Sequence, residues 1–306
     1  MNNTKKKIAM YWGAGCGGCD VSLLGVHEKL LDLLGEVDIV FWPCAMDFKY
    51  EDLEKMEDGS IDIAFYNGAI RTRENEEIAK LLRRKAKMLI AYGSCAIEGC
   101  VIGLANLYSR EEIFDAVYLN NETTPDGKIP SHELPEFLPS LKTLDSVVKV
   151  DAFIPGCPPP APVLEAALNA LLNGKTDFLS NLALCDECPR RDSKPDKIEI
   201  KEIKRWHSSK DDGRCFLAQG IICMGLATRA GCKAECINAN IPCTGCMGGV
   251  DGMAGIAAIS AVASLIDGND EEKEKKIIES IQDVVGTFFK YSTAKLLPEG
   301  RYKDEN

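Results

Sequence analysis

Fourteen cysteines in a chain of 306 residues constrain what it can fold into more than any other feature. Six of them sit in three C-x-x-C hairpins, Cys16/Cys19, Cys185/Cys188 and Cys243/Cys246. The first seven residues are short and polar and lead into a strand-like run, with no n-region, h-region or twin-arginine leader. No segment approaches the roughly 20 apolar residues that a membrane span needs. A cytoplasmic location is therefore expected, and such a compartment keeps thiols reduced. Metal or cluster ligation becomes the leading use for so many cysteines. With 45% hydrophobic and 27% charged residues the composition is that of a soluble globular protein. The net charge of −11 argues against nucleic acid or an anionic membrane surface as the main partner.

The first 176 residues alternate strand and helix patterns. Strands are expected at 7–12, 37–42, 61–66, 88–92 and 147–154, where short β-rich runs occur. Helices are expected at 20–35, with Leu23, Leu24, Leu30, Leu31 and Leu34 on one side, at 75–86, and at 161–172, closed by Gly174. Strands that alternate with crossover helices imply a parallel sheet covered on both faces, an α/β flavodoxin-like doubly wound fold. Residues 109–146 break the rhythm with several prolines and read as a long surface insertion. From 177 to 306 strands become scarce and cysteines dense, so a second, loop- and helix-rich domain is expected. Within it, 194–205 reads as an extended excursion, and 255–266 and 271–291 as helices.

The cysteines sort into three quartets. Cys16 and Cys19 follow the first strand, Cys95 follows strand 88–92, and Cys157 follows strand 147–154. All four fall just past the carboxyl ends of parallel strands, where open α/β sheets place ligands. Their glycine neighbours let backbone N–H groups approach sulfur, and the prolines after Cys157 stiffen that loop. Cys185, Cys188, Cys215 and Cys223 form a second set, and Cys232, Cys236, Cys243 and Cys246 a third. Four thiolates that start from a C-x-x-C hairpin suit an iron–sulfur cluster. Structural zinc uses the same hairpins and is the alternative for either C-terminal set.

Cys44 and Cys100 are left over and read as buried inert thiols, although Cys100 rivals Cys95 as a ligand. The histidines His27, His132 and His207 lie in no ligand-like spacing. Asp20, beside Cys19, reads first as a helix N-cap and second as a proton-handling carboxylate. No serine–histidine–acid set, P-loop or dinucleotide fingerprint is present, and the glycines of GAGCGG are weak evidence for a nucleotide.

The motifs WGAGCGGC, AYGSCA, PGCPP and IPCTGC, spread over nearly the whole chain, resemble the small, electron-transferring subunit of [NiFe] hydrogenases. The details GCGGCD and CDEC look most like the cytoplasmic, methyl-viologen-reducing (F420-non-reducing) type. The resemblance implies that Cys16, Cys19, Cys95 and Cys157 hold the proximal [4Fe–4S] cluster, nearest the nickel–iron centre. Cys232, Cys243 and Cys246 match medial ligands, and Cys185, Cys188, Cys215 and Cys223 match the distal set. Where many members of that family have a distal histidine, this chain has Cys185. Where many have a proline, it has Cys236, which implies a four-iron medial cluster of lower potential. Three [4Fe–4S] clusters are the expectation.

An electron relay follows from that resemblance. Hydrogen would be oxidised at a nickel–iron centre in a separate large subunit, and electrons would pass the proximal, medial and distal clusters to an acceptor subunit. That acceptor would be linked to heterodisulfide reductase with ferredoxin, to flavin and NAD(P), or to an electron-bifurcating assembly. One rival is the cluster-bearing subunit of an NADH dehydrogenase-like complex, which lacks the eight-cysteine second domain. Another is a zinc-stapled interaction protein with no redox role.

Overall fold

The computed structural model describes residues 5–266 and 271–300. They form two compact units: residues up to 177 together with the segment from 291 onward, and residues 178–290.

In the first unit, strands β1 (Lys6–Trp12), β2 (Val37–Phe41), β3 (Ile61–Asn67), β5 (Ala86–Tyr92) and β7 (Ala152–Ile154) form one sheet in the order β2-β1-β3-β5-β7. Every pairing in it is parallel. This is the flavodoxin-like order, and its switch point lies between β1 and β3. The central strands β3 (IDIAFYN) and β5 (AKMLIAY) are nearly continuous apolar runs because helices cover both of their faces. Phe41, Leu53, Ile61, Tyr66, Leu82 and Leu89 lie fully buried in the core on one side.

The helix Arg73–Lys85 starts two residues before the expected point, at a capping box. Thr72 Oγ1 accepts the Asn75 N–H at 3.3 Å, and Asn75 Oδ1 accepts the Thr72 N–H at 3.1 Å. Glu74 and Glu76 in its first turn, with Arg83, Arg84 and Lys85 in its last, complement the helix dipole.

Three expectations for the first unit's fold need correction. The single helix over 20–35 is instead a short helix Gly18–Ser22, a 3₁₀ turn Leu23–Val26 and a helix Lys29–Glu36, broken at His27 with φ 52°. That left-handed residue rotates the second segment, so the leucines do not share a buried side. Leu23 is buried, while Leu24 and Leu31 are 62% and 72% exposed. The strand expected over 147–154 shrinks to its last three residues. The insertion is also more ordered than its composition suggests. Strand β6 (Phe137–Lys142) pairs antiparallel with β4 (Ile70–Thr72), burying Leu138 and Leu141 with the exposed Pro139 between them. A proline is tolerated there because this two-stranded ladder has open edges.

The second unit has no extended sheet among its described residues. Short 3₁₀ turns and the helices Glu235–Asn238, Ala254–Ser264 and Glu271–Glu279 surround a core of Leu184, Phe216, Ile221, Met224, Val262 and Phe288. The thiols of Cys223 and Cys243 are part of that core. Residues 194–205, expected to be extended, bend at 196–197 and 201–202 and are held by two isolated bridges, with Ile200 donating its N–H to Leu265 O at 2.7 Å and Lys204 donating to Gly220 O at 2.8 Å. The helix expected to reach 291 stops at Glu279. It is followed by a separate wide turn, Val285–Phe289, where the Asp283 carboxylate accepts the Gly286 N–H at 2.8 Å.

From 291 onward the chain belongs to the first unit. Asn106 Nδ2 donates to Leu297 O at 2.9 Å, Ser140 Oγ donates to Pro298 O at 2.8 Å, and Lys295 pairs with Asp145 at 3.3 Å. Among the described residues no helix is long and apolar enough to cross a membrane.

Candidate cluster sites

The first candidate site is built at the carboxyl ends of four strands. After β1, Gly13 donates its N–H to Asn67 O at 2.7 Å, and Ala14 and Ala69 exchange N–H···O bonds of 2.9 and 2.6 Å. The loops after β1 and β3 are thereby zipped side by side. Gly17, with φ 79°, turns the chain into the helix Gly18–Ser22, placing Cys16 before the turn and Cys19 inside it. Tyr92, the last residue of β5, anchors that helix by donating its hydroxyl to Cys19 O at 2.8 Å. Gly93 then donates to Ile154 O at 2.8 Å and Ser94 to Gly156 O at 2.9 Å, which ties the Cys95 loop to the Cys157 loop. Cys16, Cys19, Cys95 and Cys157 thus line one cleft, together with Asn67, Gly68 and Pro158.

The close approach at Gly93 is demanding. Its φ is +83°, and a Cβ there would lie 2.2 Å from the Cys19 sulfur. Asp20 is not the N-cap; Gly17 is, and Asp20 lies in the first turn. Its buried carboxylate instead accepts Trp42 Nε1–H at 2.8 Å and Asn67 Nδ2–H at 2.9 Å, bridging the residue just past β2 and the last residue of β3.

In the second unit, Cys185 lies within the turn Leu184–Glu187 and Cys188 caps its carboxyl end. Burial pushes the Cys185 thiol up to about 11, and the neighbouring Cys223, Cys188 and Cys215 thiols reinforce the shift. Gly225 makes room between two of them: a Cβ there would stand 3.6 Å from the Cys223 sulfur and 3.8 Å from that of Cys185. Arg190 braces the set. It forms a bidentate pair with Asp211 at 2.8 and 2.6 Å, bonds Asn240 at 3.0 Å, and stacks 4.0 Å over Phe216.

The third set is brought together as pairs. Cys232 lies beside Cys236 and within 3.9 Å of the Glu187 carboxylate; Cys243 lies beside Cys246 and 3.7 Å from Thr228 Oγ1. Cys243 also neighbours Cys223 of the second set.

One local geometry recurs across all three sets. The backbone N–H two residues onward donates to the sulfur at Cys16 (from Gly18, 3.4 Å), Cys188 (from Arg190, 3.4 Å), Cys223 (from Gly225), Cys232 (from Ala234) and Cys243 (from Gly245). Such N–H···S bonds stabilise thiolate and raise the potential of a cluster it binds. Of these, Cys223 and Cys243 are buried and Cys232 is half-buried, and all three are costly to ionise without a cation, as is Cys19. Burial lifts Cys19 to about 12, with Cys157 and Cys16 adding to the rise, and lifts Cys223 to about 11. Donors that resist ionisation alone, yet point N–H groups at their sulfurs, fit a bound iron cluster. Among the described residues no three histidine, cysteine, aspartate or glutamate side chains converge closely enough to hold a single ion.

Two leftover thiols depart from expectation. Cys44 is exposed rather than buried. Cys100 is buried, but it is not apart from the chemistry, since its sulfur lies 3.4 Å from that of Cys157. The C-x₄-C spacing of Cys95 and Cys100 was the available sequence signal. His27, His132 and His207 are exposed and touch none of the three sets.

A doubly wound sheet with cysteines at its switch point defines a class, and known proteins bear the class out. The chain belongs to the family described as NADH ubiquinone oxidoreductase, 20 Kd subunit, whose model matches residues 16–171. Within that class it is a small subunit of [NiFe] hydrogenase, nearest the F420-non-reducing type. It is 38% identical over 303 residues to an F420-non-reducing hydrogenase subunit of Methanothermobacter marburgensis, covering 96% of both chains. It is 40% identical over 260 residues to an F420-non-reducing hydrogenase iron-sulfur subunit of Archaeoglobus profundus, covering 78% of this chain and 81% of the relative. Among solved structures, a chain of an NAD+-reducing [NiFe]-hydrogenase matches 56% of this chain and 93% of its own length, at 32% identity and a TM-score of 0.51. A chain of the Ni-Fe-Se hydrogenase from Desulfomicrobium baculatum matches 81% of this chain and 96% of its own, at 20% identity and a TM-score of 0.51, and shares the fold.

Proposed function

We propose that this subunit relays electrons from hydrogen oxidation in a [NiFe] large subunit through three [4Fe–4S] clusters to an acceptor subunit in the cytoplasm. The observation that carries the reading is the recurrence of the i+2 N–H···S turn at Cys16, Cys188, Cys223, Cys232 and Cys243, one or two in each quartet. Cys16, Cys19, Cys95 and Cys157 would hold the proximal cluster at the sheet's switch point. Cys232, Cys236, Cys243 and Cys246 would hold the medial one, and Cys185, Cys188, Cys215 and Cys223 the distal one. Residues 1–176, together with the returning segment from 291, would serve as the proximal domain, and the rest of the chain from 177 as the domain for the other two.

A four-iron cluster supplies reversible one-electron transfer when bound. The chain's own residues do the rest. The zipped loops after β1 and β3 fix the spacing of Cys16 and Cys19. The buried carboxylate of Asp20, held by Trp42 and Asn67, keeps the helix of Cys19 in place. Arg190 donates its backbone N–H to the Cys188 sulfur at 3.4 Å while its guanidinium, paired with Asp211, fixes that turn. The heterodisulfide-linked, flavin- and NAD(P)-linked or bifurcating acceptor is to be identified by mass spectrometry of the complex purified through this chain.

Iron and sulfide analysis of that complex tests the relay. Roughly twelve irons beyond the nickel–iron centre are expected, with a broad visible absorption band. About four would leave the single-cluster NADH dehydrogenase-like reading, and zinc without the band would leave the interaction-protein reading.

A further inference from the structure

Glu187 belongs to one set of cysteines by sequence and to another by contact. It lies between Cys185 and Cys188, inside the C-x-x-C hairpin of the second set. Its side chain reaches the third set, where Oε1 accepts the Gly231 N–H at 2.9 Å and stands 3.9 Å from the Cys232 sulfur. The contact is fixed from both ends. Leu184, at the start of the turn that carries Glu187, donates its N–H to Thr228 O at 2.7 Å, three residues before Gly231. Gly231 has φ 124°, and Lys233 and Ala234 have φ 54° and 52°, so the chain winds tightly around Cys232. Glu187 is half-buried, and among the described residues no lysine or arginine pairs with it. Its neighbour Asp186, by contrast, pairs with Arg191 at 3.1 Å. A hydrogen-bond anchor between two loops needs only an acceptor oxygen, which glutamine supplies equally well. What glutamate adds is a negative charge without a counter-ion, held against a ligand sulfur.

We propose that Glu187 is a positioning residue for electron transfer: acting through Cys232, its carboxylate holds down the reduction potential of the cluster on Cys232, Cys236, Cys243 and Cys246. The proposal rests on the quartet assignment above. Reduction adds one electron to a thiolate-bound site, and a fixed negative charge beside one ligand repels the reduced site more than the oxidised one. The Ala234 N–H, which donates to the same sulfur, acts in the opposite sense. Solvent ions screen a half-buried charge weakly, so the effect persists at ordinary ionic strength. The charge is carried by the hairpin of the second set, which ties the potential of one site to the folding of its neighbour. A site held at lower potential passes an electron onward instead of storing it.

The test uses the whole hydrogenase complex, with iron content and the midpoint potential of each cluster, followed by electron paramagnetic resonance during a redox titration. Cys232→Ala first marks the signal of the third set by its loss or change. Glu187→Gln keeps the acceptor for Gly231 and removes the charge. It should retain the wild-type iron content and shift the marked potential upward, by more than either of the others. No upward shift, or a larger one at the cluster of Cys185 and Cys188, would overturn the proposal. Should Glu187→Gln shed iron, Glu187→Asp decides, because it keeps the charge but draws it back from Cys232 by one methylene. A smaller upward shift is then expected, and an unshifted potential, or iron loss in both variants, would overturn the charge-based role. A Cys232→Ala complex with wild-type iron and unaltered signals would sink the quartet assignment and this proposal with it, before any change at Glu187 is made.

Discussion

Two glycines separate cluster positions that tolerate a methyl group from those that do not. Gly93→Ala would force a Cβ to 2.2 Å from the Cys19 sulfur at φ +83°. The complex carrying it should lose about one four-iron cluster on iron analysis. Gly225→Ala places its Cβ at ordinary contact distance, 3.6 and 3.8 Å, from the Cys223 and Cys185 sulfurs. That variant should keep its iron. A third residue gives a pH signature away from any cluster. Burial raises the Asp151 carboxyl, but Arg83 and the Leu89 N–H, which donates at 2.8 Å, outweigh it and hold the group below the ordinary carboxylate range. A depressed carboxyl contributes stability above its unfolded pKa of about 3.9 and loses it as pH falls through the folded value. Wild type should therefore exceed Asp151→Asn in resistance to denaturant at pH 7, and the gap should close below about pH 4. The leftover residues show what sequence could not supply at this scale. Cys44 and Cys100 look alike as unassigned thiols, and only the fold makes one exposed and puts the other against Cys157.

At the scale of elements, legibility followed the strength of the local signal. Helix Arg73–Lys85 carries its cap, its dipole-matched ends and its apolar stripe in the sequence, and the structure moves only its start. Thr72→Ala removes the acceptor of the Asn75 N–H and should cost about 1 kcal/mol, read as faster hydrogen exchange in the first turn of that helix. The buried strands β3 and β5 were equally plain, because strands covered on both faces are apolar throughout. The stretch after Cys19 misled for a physical reason. Its leucines recur at helical spacing, but one left-handed residue, His27, ends the periodicity between them. The pair β4 and β6 was hidden by Pro139 and by a separation of more than 60 residues, since a ladder that distant leaves no local pattern. The Cys95 and Cys157 loops were legible as post-strand positions. Their bonding to each other through Gly93, Ser94 and Gly156 was not.

For the whole molecule, the sequence announced a change of character near residue 177, where strands give way to cysteine-dense turns, and it held no sign that the chain comes back. Residues 291–300 do come back, bonding Cys100, Asn106, Ser140 and Asp145 of the first unit. A chain ending at 290 should accordingly give a less protease-resistant first unit and a complex with reduced iron, measured by limited proteolysis and iron analysis against wild type. Topologically the second unit is an insert within the first. Synthesis runs from the amino end, and domains ordinarily fold in the order in which they emerge. Here that order is inverted. The unit begun first must wait for residues 291–300 to leave the ribosome before the loop bearing Cys100 can be closed, so the cysteine cleft at the switch point is completed only after the second unit has been made.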